Sequence, residues 1–155
     1  MSMNDPIKIV EAHLEHIDKV VDLYGGYRVF YGQERDRERE KSFLEQRIEK
    51  QESVILLAMD EDGAAMGFTQ LYPLFSSVTM RRVWLLNDLY VDSNFRRRGV
   101  AAALLDSAFV YAKNTGARHI MLETAMDNND AQKLYEKNGW ERDDETFMYF
   151  KECDS

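Results

Sequence analysis

The stretch Leu89-Tyr90-Val91-Asp92-Ser93-Asn94-Phe95-Arg96-Arg97-Arg98-Gly99-Val100-Ala101 decides the fold. It opens as the end of a strand, because Val83 to Val91 is rich in Trp, Leu, Tyr and Val, residues that suit a pleated, half-buried surface. Asp92-Ser93-Asn94 closes that strand. Beyond Gly99 the residues Ala101, Leu104, Leu105, Ala108, Phe109 and Ala112 form a helical stripe, and Gly116 stands where a C-cap belongs. A strand that turns through three arginines into a helix suits an anion, since the first helical amides lack partners and carry about half a positive charge. Gly99 lets the backbone approach a ligand, Ala101 and Ala102 leave the first turn uncrowded, and Arg96, Arg97 and Arg98 add planar donors matched to phosphate oxygens. From the residues alone, an ordinary surface turn before a helix reads equally well. Neither GxGxxG nor a Walker lysine-serine motif is present, which argues against a dinucleotide fold and a nucleotide triphosphatase.

Upstream, Ile7 to Val10 reads as a short strand, followed by a helix with Ile17, Val20, Val21 and Tyr24 on one face. Glu34 to Lys50 is dense in alternating charges and reads as a solvated helix whose narrow apolar face is Phe43, Leu44 and Ile48. Val54 to Met59 and Ala65 to Tyr72 make a hairpin about Asp60-Glu61-Asp62-Gly63, with a loop from Pro73 to Met80. Downstream, Ile120 to Thr124 is a strand, Asp130 to Asn138 a helix stopped by Gly139, and Phe147 to Lys151 a last strand. The order is β-α-α-β-β-β-α-β-α-β. No linker, repeat or low-complexity tract interrupts it, so residues 1–155 read as a single α/β domain.

The composition narrows the functions. At 155 residues and 45% hydrophobic content the chain can bury a sizeable core without a staple. Its charge of −8, from 28 acidic against 20 basic residues, disfavours nucleic-acid binding and favours small cations. No apolar run approaches the length of a membrane span, and Met1 to Pro6 lacks the features of a signal peptide, so a cytoplasmic protein without a membrane partner is expected. The lone Cys153 cannot form an internal disulfide or a cysteine metal cage. His13-x-x-His16 has a metal-ligand spacing but no third ligand, and no metal is expected. The methionines are scattered and read as packing.

Arg96-x-x-Gly99-x-Ala101 after a strand matches the coenzyme-A signature of the GNAT superfamily of N-acetyltransferases. Asn128-x-x-Ala131-x-x-Leu134-Tyr135-Glu136-Lys137-x-Gly139-Trp140 is similar to the family's downstream motif, and Asn87-Asp88-Leu89-Tyr90-Val91 resembles its polyamine and histone acetyltransferase-like branches. The resemblance implies a central mixed, mostly antiparallel sheet with splayed parallel central strands and flanking helices. It implies acetyl-CoA as donor, its pantetheine arm along Leu89 and Val91 and against Asn128 and Ala131. The pyrophosphate would rest on the amides from Arg97 to Ala102, Val100 included, and an N–H near Leu89 or Tyr90 would polarise the thioester carbonyl. Tyr135 is implied as the general acid for the leaving thiolate; without the family it reads as a packed aromatic. For the base, Asp88 is the first candidate and Glu123 the second, each also readable as a strand carboxylate. Asn87 stands where some polyamine-acetylating relatives carry a glutamate, and an amide accepts no proton. The acceptor expected is a small-molecule amine or a protein lysine, and the assembly a homodimer. A non-catalytic acyl-CoA sensor is the alternative.

Overall fold

Two hydrophobic faces and a short turn build the centre of the sheet. In the computed structural model, which describes residues 6–154, β2 (Val54–Met59) and β3 (Ala65–Ser76) pair antiparallel across the Asp60 turn. The Asp60 carboxylate accepts the amides of Asp62 and Ala64, both at 2.9 Å, which is how a short acidic side chain holds a turn. β4 (Arg81–Val91) returns against β3, while β1 (Lys8–Glu11) adds to β2. β5 (Ile120–Met121) pairs parallel to β4, completing a five-stranded sheet in the order β1-β2-β3-β4-β5.

The helices are α1 (Ile17–Phe30), α2 (Arg37–Glu49), α3 (Val100–Asn114) and α4 (Asn129–Lys137). Contacts divide the chain into two compact units, Met1–Glu123 and Thr124–Ser155. The first holds the sheet with α1 to α3, the second holds α4. Of the leader-free reading of Met1 to Pro6, all but Pro6 lies outside the described residues. Among the described residues no helix is long and apolar enough to cross a membrane.

In the first unit, Ile17, Val20, Val21 and Leu23 of α1 and Leu44 of α2 bury against Ile55, Leu57 and Phe68 of the sheet. Each such side chain contributes about 1.5–3 kcal/mol by leaving water. Gly67 of β3 is required by close approach, since a Cβ there would lie 2.7 Å from the Tyr90 carbonyl oxygen and 3.3 Å from Val100 Cγ1. Because the obstacle is backbone, Gly67→Ala is expected to cost about 1–3 kcal/mol, read as a lower urea midpoint at unchanged slope.

Three expectations are corrected. β3 continues through Pro73 to Ser76, so the loop expected from Pro73 shrinks to the turn 77–80. Pro73 is tolerated because β2 pairs no further than Leu71, which leaves a neighbour on the β4 side only, at Trp84. β5 is two residues long rather than reaching Thr124. Residues 147–151 form no strand; their composition favours one, but a strand exists only through a paired neighbour.

Glu40 departs from the solvated reading of its helix. Its side chain is 1% exposed and lies 2.7 Å from Arg28 Nη1 and 3.2 Å from Arg35 Nε, and it also accepts the Asp36 amide. Burial pushes its pKa up, yet the Arg28 and Asp36 hydrogen bonds and the Arg35 charge win and hold it below the ordinary value. A depressed carboxylate stabilises above its unfolded pKa, and that stability is lost as pH falls through the folded one. Glu40→Gln is therefore expected to cost about 1.5–3 kcal/mol at neutral pH and to flatten the acid side of a melting-temperature profile.

Candidate active site

At the end of β4 the chain bends through a 3₁₀ turn, Ser93–Phe95, in which the Asp92 carboxylate accepts the Asn94 amide at 2.9 Å. Arg97, with φ of 63°, and Gly99, with φ of 79°, then swing the backbone into α3. Gly99 is the N-cap and supplies no side chain to the amides that follow. The first α-helical bond runs from the Ala103 amide to the Gly99 carbonyl, so the amides of Val100, Ala101 and Ala102 have no acceptor within the helix. The space a Cβ on Gly99 would take is open to 4 Å. Arg97 is exposed. Arg96 is partly committed, its Nε donating to the Val91 carbonyl at 3.2 Å and its guanidinium lying over Tyr90. Arg98 lies over Phe95.

β5 pairs with β4 only at Trp84 and Leu85. From Leu86 to Val91, β4 has no strand on that side among the described residues, so Leu89, Tyr90 and Val91 sit in a half-paired edge that runs into the α3 amides. Gln70 faces Asp88 while Leu71 faces Leu86, so Asn87 is an extra residue in the ladder. Such a bulge re-aims the residues beside it. Here it leaves Asn87 exposed and Asp88 buried, at 3%.

Asp88 is the most perturbed acid of the site. Burial raises its pKa, against hydrogen bonds from Gln70, Asn87 and Tyr27. Gln70 Nε2 donates to one carboxylate oxygen and Asn87 Nδ2 to the other, the latter at 2.8 Å. The Tyr27 hydroxyl stands between two acceptors, 3.5 Å from the Asn87 carbonyl and near enough to Asp88 to bond it. Burial first, then the Asp88 charge, raises the pKa of Tyr24, Tyr27 and Tyr72. With Phe68, whose ring meets Tyr24 and Tyr27 edge-on, they form an aromatic wall about one carboxylate. Gln70 is fully buried and its Oε1 has no hydrogen-bond partner among the described residues.

In the second unit, Asn128 caps α4 by accepting the Ala131 amide at 3.2 Å. The helix ends at Gly139, φ of 88°, where the Gly139 amide bonds the Glu136 carbonyl and the Trp140 amide the Tyr135 carbonyl. This is a Schellman ending. Its apolar contact is the pair Tyr135 and Trp140, with ring centroids 6.2 Å apart.

Residues 18–140 match the Acetyltransferase (GNAT) family. The chain is a member of that family. It is 43% identical over 137 residues to the uncharacterized N-acetyltransferase YhfO of Bacillus subtilis (strain 168), covering 88% of this chain and 91% of the relative. The crystal structure of a probable acetyltransferase superposes with a TM-score of 0.91 at 44% identity, covering 96% of this chain and 99% of that one. An aminoglycoside N(6')-acetyltransferase type 1 of Salmonella typhimurium is 28% identical over 95 residues, 59% of this chain and 66% of that protein.

This GNAT chain is thus an acyltransferase with the mixed sheet and flanking helices expected of it. The first unit brings Asp88, Leu89, Tyr90 and Val91 into one run with Arg96 to Ala102. Glu123 lies two residues past β5 and is exposed, so it does not share a paired strand as expected. Ala131 and Tyr135 lie on α4, and Asn128 is its N-cap. His13 and His16 cap the 3₁₀ turn Leu14–His16, and no group of metal-ligating side chains occurs among the described residues.

Sequence reasoning missed Tyr27 and Gln70. The available signal was Gly25-Gly26 inside α1, costly for a helix unless something packs closely. A Cβ on Gly26 would lie 2.7 Å from the Tyr90 hydroxyl, and one on Gly25 would overlap the Arg35 guanidinium.

Proposed function

We propose that the chain transfers an acetyl group from acetyl-CoA to the primary amine of a small cationic molecule, by direct attack on the thioester. The observation that carries this reading is the half-paired edge of β4 running into the uncapped N-terminus of α3. An extended pantetheine can hydrogen-bond Leu89 and Val91 as an added strand, and a pyrophosphate gains the α3 amides and the exposed Arg97. Asp88 takes a proton from the ammonium, directly or through one water. The amine nitrogen then bonds the acetyl carbon, the C–S bond breaks, Tyr135 protonates the departing thiolate, and the second proton that the nitrogen sheds returns through water to the tyrosinate. A backbone N–H at Leu89 or Tyr90 steadies the oxyanion.

The tyrosines about Asp88 support a cationic acceptor, because aromatic faces and one carboxylate attract an ammonium. Burial that raises the Asp88 pKa also lets it receive the proton instead of merely pairing with the charge. The aminoglycoside-acetylating relative supports a small polycationic amine. Asn87, which accepts no proton, weighs against polyamine specificity, and a protein lysine is the second acceptor class. Glu123 remains the second candidate for the base. We read the protein as cytoplasmic and homodimeric; light scattering that gives the 18.2 kDa chain mass would refute the dimer.

Thiol release from acetyl-CoA across an amine panel tests the whole reading. Turnover is expected to be highest with small cationic amines. Acetyl-CoA binding without turnover on any amine would favour a non-catalytic acyl-CoA sensor, and higher turnover with neutral amines would remove the electrostatic argument.

A further inference from the structure

Asp88 and Leu89 lie at one end of β4; a cavity lies at the other. Trp84 and Leu89 are five residues apart, about 16 Å along a strand, so this cavity is separate from the proposed transfer site. Its volume is about 480 Å³, within the range of small-molecule sites. Its polar lining includes Glu11, Ser53, Arg82 and Tyr111, and its apolar lining Pro73 and Trp84.

Three observations define what the cavity would hold. Arg82 stacks its guanidinium over Phe75 at 4.5 Å and over Trp84 at 5.3 Å, yet it forms no ion pair among the described residues. Stacking fixes the plane of the fork and leaves its edge free for a carboxylate. Ser53 is 9% exposed and its hydroxyl has no hydrogen-bond partner among the described residues. An orphan buried hydroxyl is costly, and a ligand oxygen would satisfy it once the Ser53 side chain turned toward the cavity. Glu11 supplies the opposite charge: burial first, then the Glu11 charge, raises the Tyr111 pKa, and the Arg82 charge opposes this. Both charges therefore act on one hydroxyl.

The wall is held rigid. Trp84 Nε1 donates to Thr115 Oγ1 at 2.9 Å, and that hydroxyl donates to the Ala112 carbonyl at 2.7 Å. The Arg82 carbonyl accepts the Arg118 amide at 2.8 Å. The orientation of the indole and the strand position of Arg82 are thus set before any ligand arrives, which lowers the cost of binding.

We propose that this cavity binds a free α-amino acid with an apolar side chain, its carboxylate between Arg82 and Ser53, its ammonium at Glu11 and its side chain against Trp84 and Pro73. A simple anion would leave Glu11 opposed to it, and a simple cation would leave Arg82 so. A zwitterion answers both.

Calorimetric titration of the whole chain with L-leucine tests this, with leucinamide and N-acetyl-L-leucine as probes lacking one charge each. Saturable binding of one L-leucine per chain is expected. Both one-charge probes and the Arg82→Gln variant should bind about tenfold or more weakly, the loss of a charge-assisted pair. Ser53→Ala should weaken L-leucine less, and it checks the site should Arg82→Gln fail to fold. Acetyl-CoA binding by Arg82→Gln should match wild type, and Asp88→Asn should bind L-leucine as wild type does. No saturable binding at millimolar L-leucine, equal binding of the three probes, or wild-type affinity in both cavity variants would overturn the proposal. So would loss of L-leucine binding in Asp88→Asn, because that would place the amino acid in the acceptor site.

Discussion

Asp88→Asn is expected to lower kcat by about 10²–10⁴-fold, the range a general base contributes, with acetyl-CoA affinity unchanged. The substitution keeps the shape of the side chain and removes its ability to take a proton. The pH profile carries the sign. Because the Asp88 pKa is raised, chiefly by burial, wild-type kcat/KM should fall as pH drops through a value above the ordinary carboxylate range. Below it the protonated carboxyl accepts nothing. The asparagine variant should lack that limb.

Stability should move the other way. A group whose folded pKa is raised contributes stability below its unfolded pKa and loses it as pH rises through the folded pKa. At neutral pH the buried Asp88 charge is therefore a net cost that the variant removes. Gln70 can absorb the change by turning its amide, since the Oε1 that now lacks a partner would accept from the new N–H₂ group. Thermal melts should show the variant at least as stable as wild type. If rate and stability fell together, Asp88 would be holding the bulge rather than moving protons. A rate within a few-fold of wild type would exclude it as the base.

Tyr135→Phe is expected to lower kcat by about 10²-fold or more while leaving the melting temperature within a degree or so. The structural reason for the contrast is local: the ring of Tyr135 closes the end of α4 against Trp140, and phenylalanine keeps that ring. Only the hydroxyl is lost. If it protonates the leaving thiolate, the defect should shrink with a thioester whose thiol is more acidic, because that thiolate leaves without help. An equal defect with both donors would assign the hydroxyl to binding, and an unchanged rate would leave water as the proton source.

The candidate anion site was legible in the sequence because it is local. Strand, turn, arginines and helix follow one another from Leu89 to Ala101, and each step has a near-neighbour signature: branched and aromatic residues, an Asx turn, a glycine, an apolar stripe. The ends of α3 and α4 were equally plain from Gly116 and Gly139, both at positive φ. Local signals were weaker where a distant partner decides. Pro73 reads as a loop, yet pairing with Trp84 of β4 makes it a strand residue, beyond the end of the β2 ladder. Glu40 sits among solvated charges in sequence but becomes a buried acceptor for Arg28 and Arg35.

By itself, then, the sequence determined the strand, the arginine-rich turn and the helix of a mixed α/β scaffold, since hydrophobic periodicity and turn chemistry act over a few residues. Only the tertiary structure decided which carboxylate is buried. Asp88 and Glu123 are the same kind of group in sequence; one is driven inward by the bulge at Asn87 and meets Gln70 from β3 and Tyr27 from α1, and the other stays in water. Burial and hydrogen-bond partners set a carboxyl's proton affinity, and both come from residues far apart in the chain.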